Sequence, residues 1–278
     1  MKQIFDKLSL RASKMTTRAY STSFSMGIRF FNKKFHDPIY AIYGFVRFAD
    51  EIVDTFHDYD KKKLLDDFKA DTFKAIEEGI SLNPILHSFQ QIVNQYHVDR
   101  KLIEQFLYSM EMDLNQQEYD REKFDEYILG SAEVVGLMCL KVFVEGDREK
   151  YEMLKPSAMK LGAAFQKINF LRDLKADHIK LGRSYFPNVD LSNFIQEDKE
   201  RIEREIEADF KDGLKGIRKL PYGARLGVYI AYVYFFQLFK KIRETHPQKL
   251  MKERIRVPNS AKYSLLLSSY FRHRMNLL

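Results

Sequence analysis

The chain is poor in special residues: one cysteine, twelve glycines and seven prolines among 278. A lone thiol, Cys139, excludes an intramolecular disulfide framework and a Cys-rich zinc site. Scarce Gly and Pro beside 45% apolar residues exclude a collagen-like or disordered chain, since there is ample material for a core. No run of about 18 uncharged apolar residues occurs, so no segment stands out as membrane-spanning. Met1 to Arg18 scatters charges through its apolar positions and lacks the apolar block of a signal peptide. A reducing cytoplasm is the expected compartment. No Gly-x-Gly-x-x-Gly follows a strand-like run, which excludes a Rossmann nicotinamide site. The seven histidines show no pair at zinc-binding spacing.

What is present is helical periodicity and positive charge. Lys and Arg number 46 against 39 Asp and Glu, a net charge of +7. That suggests an anionic partner. The cations are spread along the chain without a recognisable motif, which argues against nucleic acid. Few stretches alternate apolar and polar residues as strands do. The patterning predicts helices over Met1–Ser21, Pro38–Thr55, Lys61–Glu78, Leu86–Tyr96, Arg100–Leu114, Lys123–Val144, Tyr151–Asp177, Leu191–Lys211, Gly223–Arg243 and Ser260–Met275. A loop is expected over Phe31–Asp37 and another over His178–Asp190. The result is an all-α fold, one domain over residues 1–278, with its core spread across about ten helices.

The informative residues are charges inside helices that should be dry. Asp50 and Asp54 stand at i, i+4 on the almost wholly apolar second helix, with Arg47 on a neighbouring strip. About 120 residues later Gln166, Asn169, Asp173 and Asp177 fall within roughly a third of a helix circumference. Two carboxylates about 6 Å apart repel by roughly 3 kcal/mol at an effective dielectric near 20. Desolvation adds to this. Facing aspartates therefore call for cations or raised pKa values, and Mg²⁺ shared with substrate phosphates is the natural answer, with Mn²⁺ as a substitute. Asp113, near a helix end, reads as a cap or a surface charge.

These residues resemble the squalene/phytoene synthase family. Ala41 through Asp54 is similar to its first aspartate-rich motif and Gln166 through Asp177 to its second. Ser21-Thr22-Ser23-Phe24 resembles the early flap motif, and Met112-Asp113-Leu114 a short mid-chain motif. Tyr127 to Gly136 resembles the helix that follows, and Gly182 to Pro187 the segment after the second motif. The order holds from about Tyr20 to Pro187. Glu51 stands where many members carry Asp, Glu133 where a small residue is common, and Lys175-Ala176 where Gly-Glu is frequent.

The resemblance implies an isoprenoid-synthase-type bundle around a central cavity. It also implies head-to-head condensation of two prenyl diphosphates. The first expectation is phytoene from two geranylgeranyl diphosphates, as in carotenoid biosynthesis. The C15 alternatives are dehydrosqualene and, with NADPH, squalene. A non-catalytic scaffold member would be expected to lose an aspartate motif, and both are present. Implied metal ligands are Asp50, Asp54, Asn169, Asp173 and Asp177. Arg47 and Tyr43 join the aspartates as catalytic residues. Substrate contacts are expected from Ser21, Ser23, Phe24, Arg47, Tyr127, Gly136, Gln166, Arg172, Arg183, Tyr234 and Arg256. Gly130, Ala132 and Gly136 are expected to leave room for a prenyl chain. Phe45, Val134, Leu137, Phe165 and Ile168 are candidates for the cavity wall or plain core. Peripheral contact with anionic lipid, the source of greasy substrates, is a further expectation.

Overall fold

Helix starts in this chain are marked by polar caps. The side chains of Asn32, Asp60, Asn83 and Asp120 each accept a backbone N–H from the first turn they precede. The computed structural model describes residues 1–115, 119–181 and 184–275, without the side chains of 22–23, 176–181 and 259–263. Its helices are α1 (Lys2–Tyr20), α2 (Thr22–Ile28), α3 (Lys33–Asp54), α4 (Lys61–Glu78) and α5 (Pro84–Tyr96). Then come α6 (Arg100–Asn115), α7 (Arg121–Ile128), α8 (Val134–Val144) and α9 (Arg148–Leu181). The chain ends with α10 (Gln196–Lys219), α11 (Tyr222–Arg243), α12 (Pro247–Leu250) and α13 (Asn259–Arg274). No strand occurs among the described residues, and the all-α class stands.

Several boundaries differ from the sequence expectation. α3 begins at Lys33, not Pro38, because Asn32 caps it and Phe35 is buried with Ile39 and Ile42. Pro38 therefore sits inside the helix, where burial of its neighbours outweighs one lost i→i−4 bond. The predicted Lys123–Val144 helix carries a π turn, Leu129–Glu133, between α7 and α8. α9 runs on to Leu181, so the loop expected from His178 starts later. Leu191–Asn193 is a separate 3₁₀ turn, and α10 starts only at Gln196.

Two apolar cores result. One gathers α3, α5, α6 and α8 around Phe45, whose ring stacks on Phe89 at 3.9 Å. Phe45 is thus core and not cavity wall. The other gathers α9, α10 and α11, with Phe165 stacked on Phe235 at 4.2 Å. α8 packs on both α3 and α9, and so stands between the two acid-bearing helices.

Small residues around the π turn serve this close packing. A Cβ on Gly130 would lie 2.6 Å from the Gln105 carbonyl oxygen and 2.6 Å from Ser109 Cβ. One on Gly162 would lie 2.8 Å from the Ala132 carbonyl oxygen. The room expected for a prenyl chain at Gly130 and Ala132 is instead taken by neighbouring backbone. The stretch Arg121–Val144 is long and apolar enough to cross a membrane, yet 56% of that window is buried inside the bundle.

Candidate active site

One wall of the site is the exposed end of α3 and the start of α2. Ser21 caps α2: its Oγ accepts the Phe24 N–H at 3.2 Å. Ser21 also acts on the Tyr43 hydroxyl, partly offsetting the rise that burial gives it. Phe24 in turn stacks on the Tyr43 ring at 4.6 Å. One turn on, Arg47 pairs with Glu51 and lies 3.8 Å from Asp50. Its guanidinium rests over the Tyr20 ring at 4.4 Å, while its Nε is buried without an acceptor. Burial pushes the Asp50 carboxyl up to about 7; Asp54 and Asp113 push the same way, and Arg47 opposes them. Tyr43 is raised as well, by burial first.

The second wall is α9. Gln166 donates to Ser131 Oγ at 3.4 Å and accepts from Asn169 Nδ2 at 3.4 Å. Asn169 Oδ1 is buried and has no donor. Asp173 is held by two arginines: Arg172 at 2.5 Å, and Arg254, whose Nε lies 2.7 Å from the carboxylate. Arg254 comes from the segment after α12. Arg256, expected as a substrate contact, lies two residues further on; it is exposed, and its carbonyl accepts from Lys241.

Between the walls lies a carboxylate that sequence reasoning undervalued. Asp113, at the end of α6, is buried and accepts hydrogen bonds from three tyrosines. Tyr127 donates at 2.7 Å, Tyr185 at 3.3 Å and Tyr119 at 3.4 Å. Three hydroxyl donors replace the water that an ionised carboxylate loses on burial. Burial and the nearby Asp113 charge hold the Tyr127 hydroxyl well above the ordinary phenol range, so it stays a donor. The ring of Tyr185 stacks on Phe170 of α9 at 4.0 Å. Asp113 adds to the field on Asp50 of α3, and two of its tyrosines, Tyr127 and Tyr185, pack on Phe170 of α9. The short Met112-Asp113-Leu114 motif marks its position but not its burial, because its three tyrosine partners come from separate segments.

Other expected residues fall elsewhere or outside the described set. Gly136 faces the Ala158 carbonyl of α9, which a Cβ would meet at 3.2 Å, so it serves helix packing. Glu133 lies in an outer groove with Arg121, Lys160 and Lys167, and desolvation raises its carboxyl. Tyr234 is half-buried against the second core, edge-on to Phe235. The side chains of Ser23 and Asp177, and the whole of Arg183, lie outside the described residues. Among the described residues no three acidic, His or Cys groups are gathered into one ligand cluster.

This arrangement can be set beside known proteins. The family model for squalene/phytoene synthase matches residues 17–261. The chain belongs to the squalene/phytoene synthase family. The phytoene synthase of Arthrospira platensis is 24% identical over 295 residues, 96% of this chain and 94% of that protein. The 4,4'-diapophytoene synthase of Staphylococcus haemolyticus is 26% identical over 189 residues, 67% of this chain. The chain covers 65% of that relative's length, and 65% of the tomato (Solanum lycopersicum) chloroplastic phytoene synthase 1. A ligand-bound dehydrosqualene synthase shares the fold of this family member with a TM-score of 0.85, at 19% identity over 98% of this chain and 99% of that one. A squalene synthase from Alicyclobacillus acidocaldarius follows with a TM-score of 0.76, at 18% identity over 90% of this chain and 97% of that one.

Proposed function

We propose that this family member condenses two prenyl diphosphates head to head, and that the product is phytoene from two C20 geranylgeranyl diphosphates. The observation that carries the reading is a carboxyl, Asp50, that the fold buries with Asp54 and Asp113 acting on it: burial first, and then those two acids, push it up to about 7. An apolar helix tolerates such repulsion where a cation is to be bound. The buried, donorless Asn169 Oδ1 fits the same need on α9. Asp50, Asp54, Asn169, Asp173 and Asp177 would hold Mg²⁺, which supplies charge stabilisation for the departing diphosphate.

The remaining work falls to the chain itself. Arg47, Arg172 and Arg254 offer guanidinium forks to phosphate oxygens. Tyr43 holds its proton and donates from beneath the Phe24 ring. In the first step the allylic C–O bond breaks, and its electron pair leaves with the diphosphate. The double bond of the second substrate attacks the resulting cation. The stacked Phe24 and Tyr43 rings would help shield a cation and exclude water. Tyr127 keeps its hydroxyl proton on the Asp113 carboxylate, a neutral donor in place of a charge. A first proton is lost as the adduct closes to a cyclopropylcarbinyl diphosphate; the remaining C–O bond then breaks, the second diphosphate leaves with its electron pair, and the ring rearranges. Loss of a second proton from the final cation gives the central triene of phytoene; hydride from NADPH would, with C15 substrates, give squalene instead.

The near full-length match to a phytoene synthase supports the C20 reading, and the fold match to a dehydrosqualene synthase makes the C15 diphosphate the alternative to test. The test is incubation with Mg²⁺ and either the C15 or the C20 diphosphate, with and without NADPH, followed by product analysis. Phytoene from the C20 substrate, independent of NADPH, is expected. Coupling of the C15 substrate alone would replace phytoene by dehydrosqualene or squalene. No coupled product would return the scaffold alternative.

A further inference from the structure

The N-terminal helix presents a long face that the fold leaves uncovered. α1 packs on α3 and α5 through Ser9, Ser13 and Thr17, which are fully buried at i, i+4 and i+8. Ser13 Oγ meets Ser88 Oγ at 2.7 Å, so small polar side chains let the helices approach closely. At 100° per residue the opposite ridge carries Ile4, Leu8, Arg11, Met15 and Arg18, with Lys7 and Lys14 along one flank. Ile4, Leu8 and Met15 are 66%, 56% and 70% exposed. The helix's one acid, Asp6, is turned towards the packed side, where His87 Nε2 lies 2.8 Å from it. Among the described residues Lys7, Arg11 and Arg18 have no carboxylate partner. Lys14 leans onto the Tyr40 ring of α3, so the outward face combines three cations, Lys7, Arg11 and Arg18, with no anion and three large apolar side chains.

We propose that this face of α1 docks on an anionic lipid bilayer, with Ile4, Leu8 and Met15 in the headgroup layer and the cations on lipid phosphates. An amphipathic helix lying in the interface has this composition: apolar anchors interleaved with Lys and Arg. A second copy of the chain is the poorer occupant. The ridge measures about 28 Å by 10 Å, roughly 300 Å², against about 800 Å² per partner in a stable dimer. Self-pairing would also set cations against cations. The position of α1 gives docking a consequence. The helix ends at Tyr20, whose ring lies on the Arg47 guanidinium, and Ser21 then opens the site. The helix on the lipid is thus the one that leads into the diphosphate-binding wall. The docking face itself does not depend on which prenyl chain is used.

Co-sedimentation of the full chain with phosphatidylcholine vesicles, with and without phosphatidylglycerol, tests this. Binding is expected only to the anionic vesicles and is expected to fall at high salt. Arg11→Gln with Arg18→Gln should weaken it about 25-fold, at the usual contribution per surface cation. Ile4→Glu with Leu8→Glu should abolish it. Both pairs are exposed, so helicity and melting temperature should match the parent. Failure to bind either vesicle overturns the proposal. So does binding that survives both double variants but is lost in Arg272→Gln with Arg274→Gln on α13. A dimer in sedimentation that Leu8→Glu dissociates would make a second copy the occupant instead. The vesicle assay contains no substrate, so its failure is separable from failure of the proposed chemistry.

Discussion

Asp50→Asn should make the metal-free protein more stable while removing its activity. The ordinary aspartate value of 3.8 is raised to about 7 in the fold, a shift of about 3 units. Between those values the native state holds a proton that the unfolded chain has released. Stability therefore falls as pH rises from about 4 to 7, and the full cost stands above 7. At 1.36 kcal/mol per unit the ceiling is about 4 kcal/mol. The Asp50 side chain is 32% exposed, and solvent screening brings this to about 2 kcal/mol. Asparagine keeps the shape and removes the charge. At pH 8 without divalent cation it should raise the melting temperature by about 4–8 °C. At pH 5 most of the gain should vanish, because the native aspartate is then protonated. Adding Mg²⁺ with pyrophosphate should stabilise the parent by about 2–3 kcal/mol at saturating ligand, and the variant by far less. Thermal melts in EDTA and in Mg²⁺ at both pH values, beside an assay of pyrophosphate release, measure all of this. An unchanged or lowered melting temperature at pH 8 would refute the electrostatic argument. Retained Mg²⁺-dependent release would refute the metal role.

Three further outcomes are expected. Tyr127→Phe removes the 2.7 Å hydrogen bond to Asp113 and should lower stability by about 1.5–3 kcal/mol, read in denaturant melts. Arg254→Gln breaks a pair whose arginine is half exposed, so stability should change by under about 1 kcal/mol. Its effect should instead appear as a several-fold rise in KM for the diphosphate substrate. Gly130→Ala puts a Cβ 2.6 Å from the Gln105 carbonyl oxygen and should cost about 1–3 kcal/mol, whereas Gly27→Ala, with nothing within 4 Å, should be near neutral.

How much of this was legible depends on whether the signal is local. α4 was readable to the residue, because Asp60 caps its start and Gly79, at φ 70°, ends it in the left-handed region. α3 was misjudged at its start because Pro38 is a local start signal, whereas the Asn32 cap and burial of Phe35 begin the helix at Lys33. The two acid-bearing faces were legible since i, i+4 spacing places side chains together whatever the tertiary fold. The burial of Asp113 was not, because Tyr119, Tyr127 and Tyr185 reach it from separate segments.

The periodicity of apolar residues and the polar caps by themselves determined an all-α chain. The spacing of Asp50 with Asp54, and of Asn169 with Asp173, determined which faces carry charge. Those are properties of one helix at a time. Tertiary structure alone decided what each face meets. It brought Arg254 to Asp173, filled the space at Gly130 with its neighbours, and turned Asp113 from an apparent surface acid into a buried hub. It also left the cationic, apolar ridge of α1 uncovered, because Ser9, Ser13 and Thr17 are the small residues that fit against α3 and α5. Local pattern sets the shape of a helix; packing between helices sets which of its sides is free to act.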